Sequence, residues 1–228
     1  MHRFAHELGN FATWYNLAFV VQAAGYTLAL SMIGCGAGFV LGFLLAALRL
    51  TSAFALKPIR ILATVYTEAF RRIPFLVTLF LVFFALQVAK IDVSVFCVAA
   101  ISAAVIETAY LTEVVRAGFE AIPCAEWEAA AAMNFSLRQT LAYVVVPQAW
   151  KTILPPAFAF FLSFIKDSAL ASQIGVVELT FAGKVFNNRG FPPEIAFGSI
   201  LGAYFLISYP LARLGRHMEK RLALSGNL

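Results

Sequence analysis

In a chain of 228 residues with 17 Lys and Arg against 12 Asp and Glu, chemistry is to be sought where those charges interrupt apolar runs. Glu107 lies inside the apolar segment 93–116, Arg71 and Arg72 head another, and Lys166-Asp167 interrupt a third. An ionisable group at bilayer depth costs roughly 2.5–3.5 kcal/mol on insertion scales, so it faces protein or a water-filled path. Glu107, with Tyr110 one turn later on the same helical face, has two readings. The pair lines a central cavity that receives a substrate ammonium, or Glu107 is a structural partner of Arg71 or Arg72. Lys166-Asp167 follows Pro155-Pro156 and precedes an Ala/Ser-rich stretch. It reads as a helix break offering polar groups to a carboxylate and an ammonium, or as a helix-end ion pair. Glu113 and Glu120 flank Arg116 at i−3 and i+4, the spacing of a local ion network rather than of a substrate site.

Catalytic constellations are missing from the sequence. His2, His6 and His217 are all near the termini, and neither a Ser-His-Asp arrangement nor HExxH occurs. Gly183-Lys184 is followed by Val and lacks the upstream Gly of a phosphate-binding loop. Cys35, Cys97 and Cys124 form no CxxC pair, so neither a disulfide framework nor a zinc site is expected. The chain is therefore expected to be no enzyme and to hold no metal.

The elements that must position these residues follow from composition. Hydrophobic residues are 61%, charged residues 13%, mean hydropathy is +0.83 and the formal charge is +5. An ordinary soluble domain is roughly 45–50% apolar and about 25% charged, so this chain cannot cover a water-soluble core. Disorder and nucleic-acid arms are excluded with it. The segment MHRFAHELGNFATWYN has no short apolar core followed by a small-residue cleavage site, so no cleaved signal peptide is expected.

At about 20 residues per span, five spans fit. Between Glu7 and Arg49 lie 41 residues without a charge and without a turn cluster, which predicts one long tilted helix over about 17–48 with Trp14 and Tyr15 at its interface. Gly25, Gly34, Gly36, Gly38 and Gly42 lie along it, either for close helix approach or as ordinary membrane-helix glycines. Residues 58–72 read as interfacial or partly buried. The 17 charge-free residues Ile73 to Ala89 read as the second span, with Pro74 in its first turn. The third runs over about 93–116, and apolar runs resume at 152–165 and 195–212. With the C-terminus inside, 12 of 17 basic residues fall on the inner side, which favours an N-terminus outside. Six spans is the second choice.

The loop 117–151 reads as two short helices. Pro123 and Glu126 suit a helix start and Ala129 to Ala132 a helix body, Asn134 suits a left-handed cap, Ser136 with Gln139 forms a capping box, and Pro147 stops the second helix. A helix with a nearly bare Ala face can enter a groove on another protein, and an acidic residue such as Glu128 can fix its register; a merely stable inter-helix loop is the plainer reading.

Here a family resemblance enters. Glu128, Ala129, Ala130, then Asn134, Val144, Val146 and Pro147 stand at the spacing of the EAA loop of ABC importer permeases, with Asn134 where that family usually has Gly. AYLTEVVRAGFEAIP (Ala109 to Pro123), AFRRIPFLVTLF (Ala69 to Phe80), FIKDSALASQIGVVEL (Phe164 to Leu179) and the SYPLARLGRHMEKRL tail resemble the polar amino-acid branch. Arg71-Arg72-Ile73-Pro74 departs from its usual Arg-Gly-Thr-Pro, and Glu107 stands where that branch is usually small or uncharged.

The resemblance implies an all-α integral membrane protein, one permease domain over 1–228 with about five spans of a type I ABC importer and a cytoplasmic coupling loop over about 117–151. Glu128, Ala129, Ala130, Asn134 and Pro147 would couple it to the ATPase. Glu107, Tyr110, Lys166, Asp167, Arg71 and Arg72 are the substrate-path candidates. The function implied is ATP-driven import of a polar amino acid or similar zwitterion across the bacterial cytoplasmic membrane. ATP and Mg would sit on the partner ATPase and no cofactor on this chain. The partners implied are a second permease subunit, two ATP-binding subunits, an extracytoplasmic substrate-binding protein and membrane lipid, with no nucleic acid. The alternative is an ion-coupled secondary transporter with Glu107 as proton carrier.

Overall fold

The structure is a computed structural model, and it describes residues 9–51 and 54–224, so His2, Arg3, His6 and Glu7 lie outside the described residues. Its long helices follow directly from the apolar runs. α1 (Trp14–Arg49) spans 36 residues, as the charge-free run predicts. A single 3₁₀ turn, Phe54–Leu56, leads into α2 (Lys57–Phe70), and α3 (Phe75–Val88) follows after a four-residue turn. α4 (Val95–Glu120) ends at Glu120 rather than Arg116, and then comes the short α5 (Cys124–Ala132). α6 (Leu137–Gln139) passes through a π-helical turn, Thr140–Val145, into α7 (Val146–Asp167), which tightens to 3₁₀ over Ser168–Ile174. α8 (Leu179–Asn188) and α9 (Pro193–Leu224) are the last described elements, and the described residues contain no strand.

Among the described residues four helices are long and apolar enough to cross a membrane: Trp14–Arg49, Val95–Glu120, Leu137–Ile174 and Pro193–Leu222. The expected second span is corrected in kind. With 14 residues, α3 rises only about 21 Å, short of a bilayer core about 30 Å thick. It qualifies as a fifth span only together with Phe54–Phe70, as a bent pair. Pro74 stands one residue before α3 rather than in its first turn.

The expected stop at Pro147 and break at Lys166-Asp167 are also corrected. The helix from Leu137 runs through both to Ile174. A proline ring collides with the carbonyl four residues back, and the wider π turn just before Pro147 relieves that collision without ending the helix. Past Asp167 the chain tightens by one residue per hydrogen bond and stops only at Gly175, whose φ of +90° admits no ordinary side chain at low cost. The loop expected over 117–151 therefore contracts, because its first residues belong to α4 and its last to the next long helix.

The chain divides into two compact units. The first comprises residues 1–33, 75–103 and 162–213. Its core gathers Phe11, Ala23, Leu179, Phe186, Ile195 and Ile200, with Phe186 edge-on to Phe11, Phe19 and Phe191. The second comprises residues 34–74, 104–161 and 214–228. Its core gathers Ala46, Val115, Phe119, Ile122, Val145, Ala149 and Ile153. There α1 meets α4 through two glycines: a Cβ at Gly38 would come within 2.6 Å of Glu107 Cβ, and one at Gly42 within 2.8 Å of the Thr112 nitrogen. Gly25 and Gly36 face open space, so only part of the glycine stripe serves close packing.

Candidate functional site: a docking helix and an arginine hub

The candidate docking helix, α5, is built from its ends. Pro123, extended at φ −53° and ψ 140°, starts α5 without a side-chain cap, and Glu126 adds a carboxylate to the first turn. At the other end the Phe135 N–H donates to the Ala130 carbonyl and the Asn134 N–H to that of Ala131, the paired bonds of a Schellman ending. Asn134 holds the left-handed conformation at φ +58°. Ser136 then caps the next helix: its backbone N–H donates to the Gln139 side-chain Oε1 at 2.8 Å, and its Oγ accepts from the Gln139 backbone N–H at 3.4 Å. The cap and turn residues behave as their spacing predicts.

Most of α5 is exposed, and it rests on two residues. Ala130 is buried and Trp127 packs on the core beneath, while Ala125, Glu128, Ala129, Ala132 and Met133 are exposed. α5 packs on the π-helical turn, and Gln148 Nε2 donates to Glu126 Oε2 at 3.3 Å. What reaches solvent is thus a ridge of mostly alanine side chains with two carboxylates, Glu126 and Glu128, supported from below by Trp127 and Ala130. Of the five residues assigned to coupling, Glu128 and Ala129 lie on that ridge, Ala130 supports it, Asn134 turns the chain and Pro147 is exposed on the helix that follows.

In the same unit the path candidates separate into two environments. Glu107 is buried at 5% exposure, its Cβ against Gly38 and its carboxyl beside the Cys35 thiol. Tyr110, one turn on, is half-buried: its hydroxyl donates to the Arg71 carbonyl at 3.1 Å and its ring lies 5.3 Å from that of Phe160. Arg71 Nη1 lies 3.6 Å from Glu113 and 3.9 Å from Glu68, and Arg72 pairs with Glu68 at 2.9 Å.

Glu113 is the centre that sequence reasoning saw only in part. It takes the Arg116 guanidinium on Oε2 from both Nε and Nη2, at 2.9 and 2.8 Å, and Arg49 on Oε1. Arg116 also pairs with Glu120. The i−3 spacing disclosed Arg116; Arg49 and Arg71 come from α1 and from the turn after α2, which no local spacing reveals.

Lys166 and Asp167 belong to the first unit, both exposed at the end of α7. That unit holds a residue the sequence reading passed over. Glu178 is fully buried, and its carboxylate caps α8, accepting from the Phe181 N–H at 2.7 Å, the Thr180 N–H at 2.9 Å and the Tyr204 hydroxyl at 2.9 Å. Burial pushes the carboxyl above the ordinary carboxylate range, against the pull of those donors and of Lys184. The available signal was an acidic residue immediately before a helical pattern.

The family described as binding-protein-dependent transport system inner membrane component matches residues 38–223. The chain belongs to that family. As a membrane component of such a transport system the permease is not itself an enzyme, and ATP-hydrolysing and substrate-binding components accompany it. It is a multi-pass membrane protein. A probable amino-acid ABC transporter permease of Bacillus subtilis is 32% identical over 205 residues, 90% of this chain and 89% of that one. A probable glutamine ABC transporter permease of the same organism is 31% identical over 209 residues, covering 90% and 94%. The crystal structure of an amino acid ABC transporter with histidines superposes with a TM-score of 0.82 at 27% identity, over 90% of this chain and 94% of its own. An inward-facing methionine ABC transporter shares the fold, with a TM-score of 0.77 at 20% identity over 92% and 99%.

Proposed function

We propose that this permease conducts a polar amino acid or similar zwitterion into the cell, driven by ATP hydrolysed on a partner. The observation that carries the reading is the exposed ridge of α5, acidic residues among alanines on a helix that Pro123 starts and a left-handed Asn134 ends. Glu128 and Ala129 dock on the ATPase, Ala130 and Asn134 hold the shape of the ridge, and Pro147 lies beside the π turn beneath it. Relatives named as amino-acid and glutamine permeases support the substrate class. A second permease, identical or paralogous, and two ATP-binding subunits complete the complex, with ATP and Mg on those subunits. An extracytoplasmic binding protein delivers the substrate. The excess of Arg and Lys at the ends assigned to the inner side supports an N-terminus outside and a C-terminus in the cytoplasm.

Among the path candidates, Arg71, Arg72 and Tyr110 are the polar groups with the most exposure in their unit, and Lys166 and Asp167 in theirs. The contact of Glu107 with Cys35 and Gly38 favours a packing role over direct contact with substrate. Uptake by proteoliposomes holding the whole complex tests the reading. It should require ATP and the ATPase subunit, and Glu128→Lys should abolish it while the permease remains in the membrane. Uptake without the ATPase would favour an ion-coupled carrier instead.

A further inference from the structure

A cavity of about 450 Å³ lies beside the Glu113 hub, sharing Arg49 with it and otherwise lined by Lys57, Arg60, Ile61, Thr64 and Val65. Three of its six walls are cationic and none is acidic. Arg49 directs one nitrogen to Glu113 and to the Thr67 hydroxyl, and Arg60 donates to the Thr51 carbonyl, so both heads are fixed in direction. The Lys57 ammonium lies 6.0 Å over the Phe54 ring, on an exposed and rotatable stem. Around the cavity the surface turns apolar: Phe54, Ile59, Ile61, Leu62 and Val65 are all exposed, Phe54 at 85% and Leu62 at 68%.

From this juxtaposition we infer that the cavity binds the phosphoryl headgroup of an anionic phospholipid, with its acyl chains laid on the apolar face of α2. The chemistry selects both halves of the ligand. Fixed guanidiniums and a mobile ammonium match a phosphodiester, and a basic pocket at the membrane edge of a helix bundle is suited to such headgroups. A free phosphate would use the cations but leave the exposed Ile, Leu, Val and Phe side chains without a partner. The site neither touches the α5 ridge nor depends on the direction of transport, so its failure would leave the functional reading standing.

The test uses the full-length permease purified in neutral detergent, titrated with phosphatidylglycerol, with phosphatidylcholine and with inorganic phosphate. Thermal stability and lipid count by native mass spectrometry are the readouts. Phosphatidylglycerol should raise the melting temperature saturably, and the other two should not. Each cation near an anionic lipid surface is worth about 1 kcal/mol, so Lys57→Gln should weaken apparent affinity about fivefold and Lys57→Gln with Arg60→Gln about 25-fold. Lys220→Gln, an exposed charge far along the sequence, should match the parent. Equal affinity in Lys57→Gln, an equal loss in Lys220→Gln, or the same stabilisation by phosphatidylcholine or by phosphate alone would each overturn the lipid site.

Discussion

Two carboxylates, Glu113 half-buried and Glu178 fully buried, show how differently the same group is accommodated. Glu113 accepts guanidiniums from Arg116 on its own helix and from Arg49 and Arg71 on other elements, an arrangement in which removing one partner is costly because the remaining charges lose their compensation. Glu178 accepts three uncharged donors and closes the first turn of α8. A glutamine at 178 keeps the shape but turns an NH₂ group toward at least one of those N–H or O–H donors. A buried donor left without an acceptor costs roughly 1–3 kcal/mol. Glu178→Gln should therefore lower the melting temperature of the purified permease markedly, and Tyr204→Phe, which removes only one donor, should lower it less. Equal melting temperatures for Glu178→Gln and the parent would show that the cap contributes nothing.

At the scale of elements, close approach and turn geometry decide the outcome. The contact of α1 with α4 depends on the missing side chain of Gly38, since even a methyl group there would overlap the backbone and Cβ of Glu107. Overpacking of this kind costs about 1–3 kcal/mol, so Gly38→Ala should destabilise, whereas Gly36→Ala, facing open space, should not. Thermal denaturation of the two variants side by side measures the contrast. The turn after α5 obeys a backbone rule instead. Asn134 at φ +58° accepts Gly without loss, while a β-branched residue is forced into a region that costs roughly 1–2 kcal/mol. Asn134→Gly should transport normally, and Asn134→Val should lose ATP-driven uptake because the ridge of α5 shifts. Normal uptake by Asn134→Val would mean that the turn does not set the docking geometry.

For the whole molecule, the distribution of charge predicts which ends face which compartment. On a background lacking Cys35, Cys97 and Cys124, a membrane-impermeant thiol reagent applied outside intact cells should label Ile91→Cys and Arg189→Cys but spare Ser136→Cys. Labelling of Ser136→Cys from outside would reverse the orientation. The four long helices and the bent fifth pair leave many apolar side chains exposed, among them Val21, Leu44, Leu201 and Leu206. In water such a surface would aggregate; in a bilayer it is the solvated surface.

By itself the sequence determined the solvent, the helical class and the α5 ridge, because each depends on local chemistry: an apolar run, a capping box at Ser136 and Gln139, an αL-tolerant Asn134. It also carried the family in the spacing from Glu128 to Pro147. Tertiary structure alone decided what depends on which helices meet. No spacing connects Arg49 with Glu113, 64 residues apart, nor Glu178 with the Tyr204 hydroxyl 26 residues on. The prolines and charges that read as breaks at 147 and 166 did not interrupt the helix, because a wider π turn and a tighter 3₁₀ turn absorb locally what a regular α-helix could not.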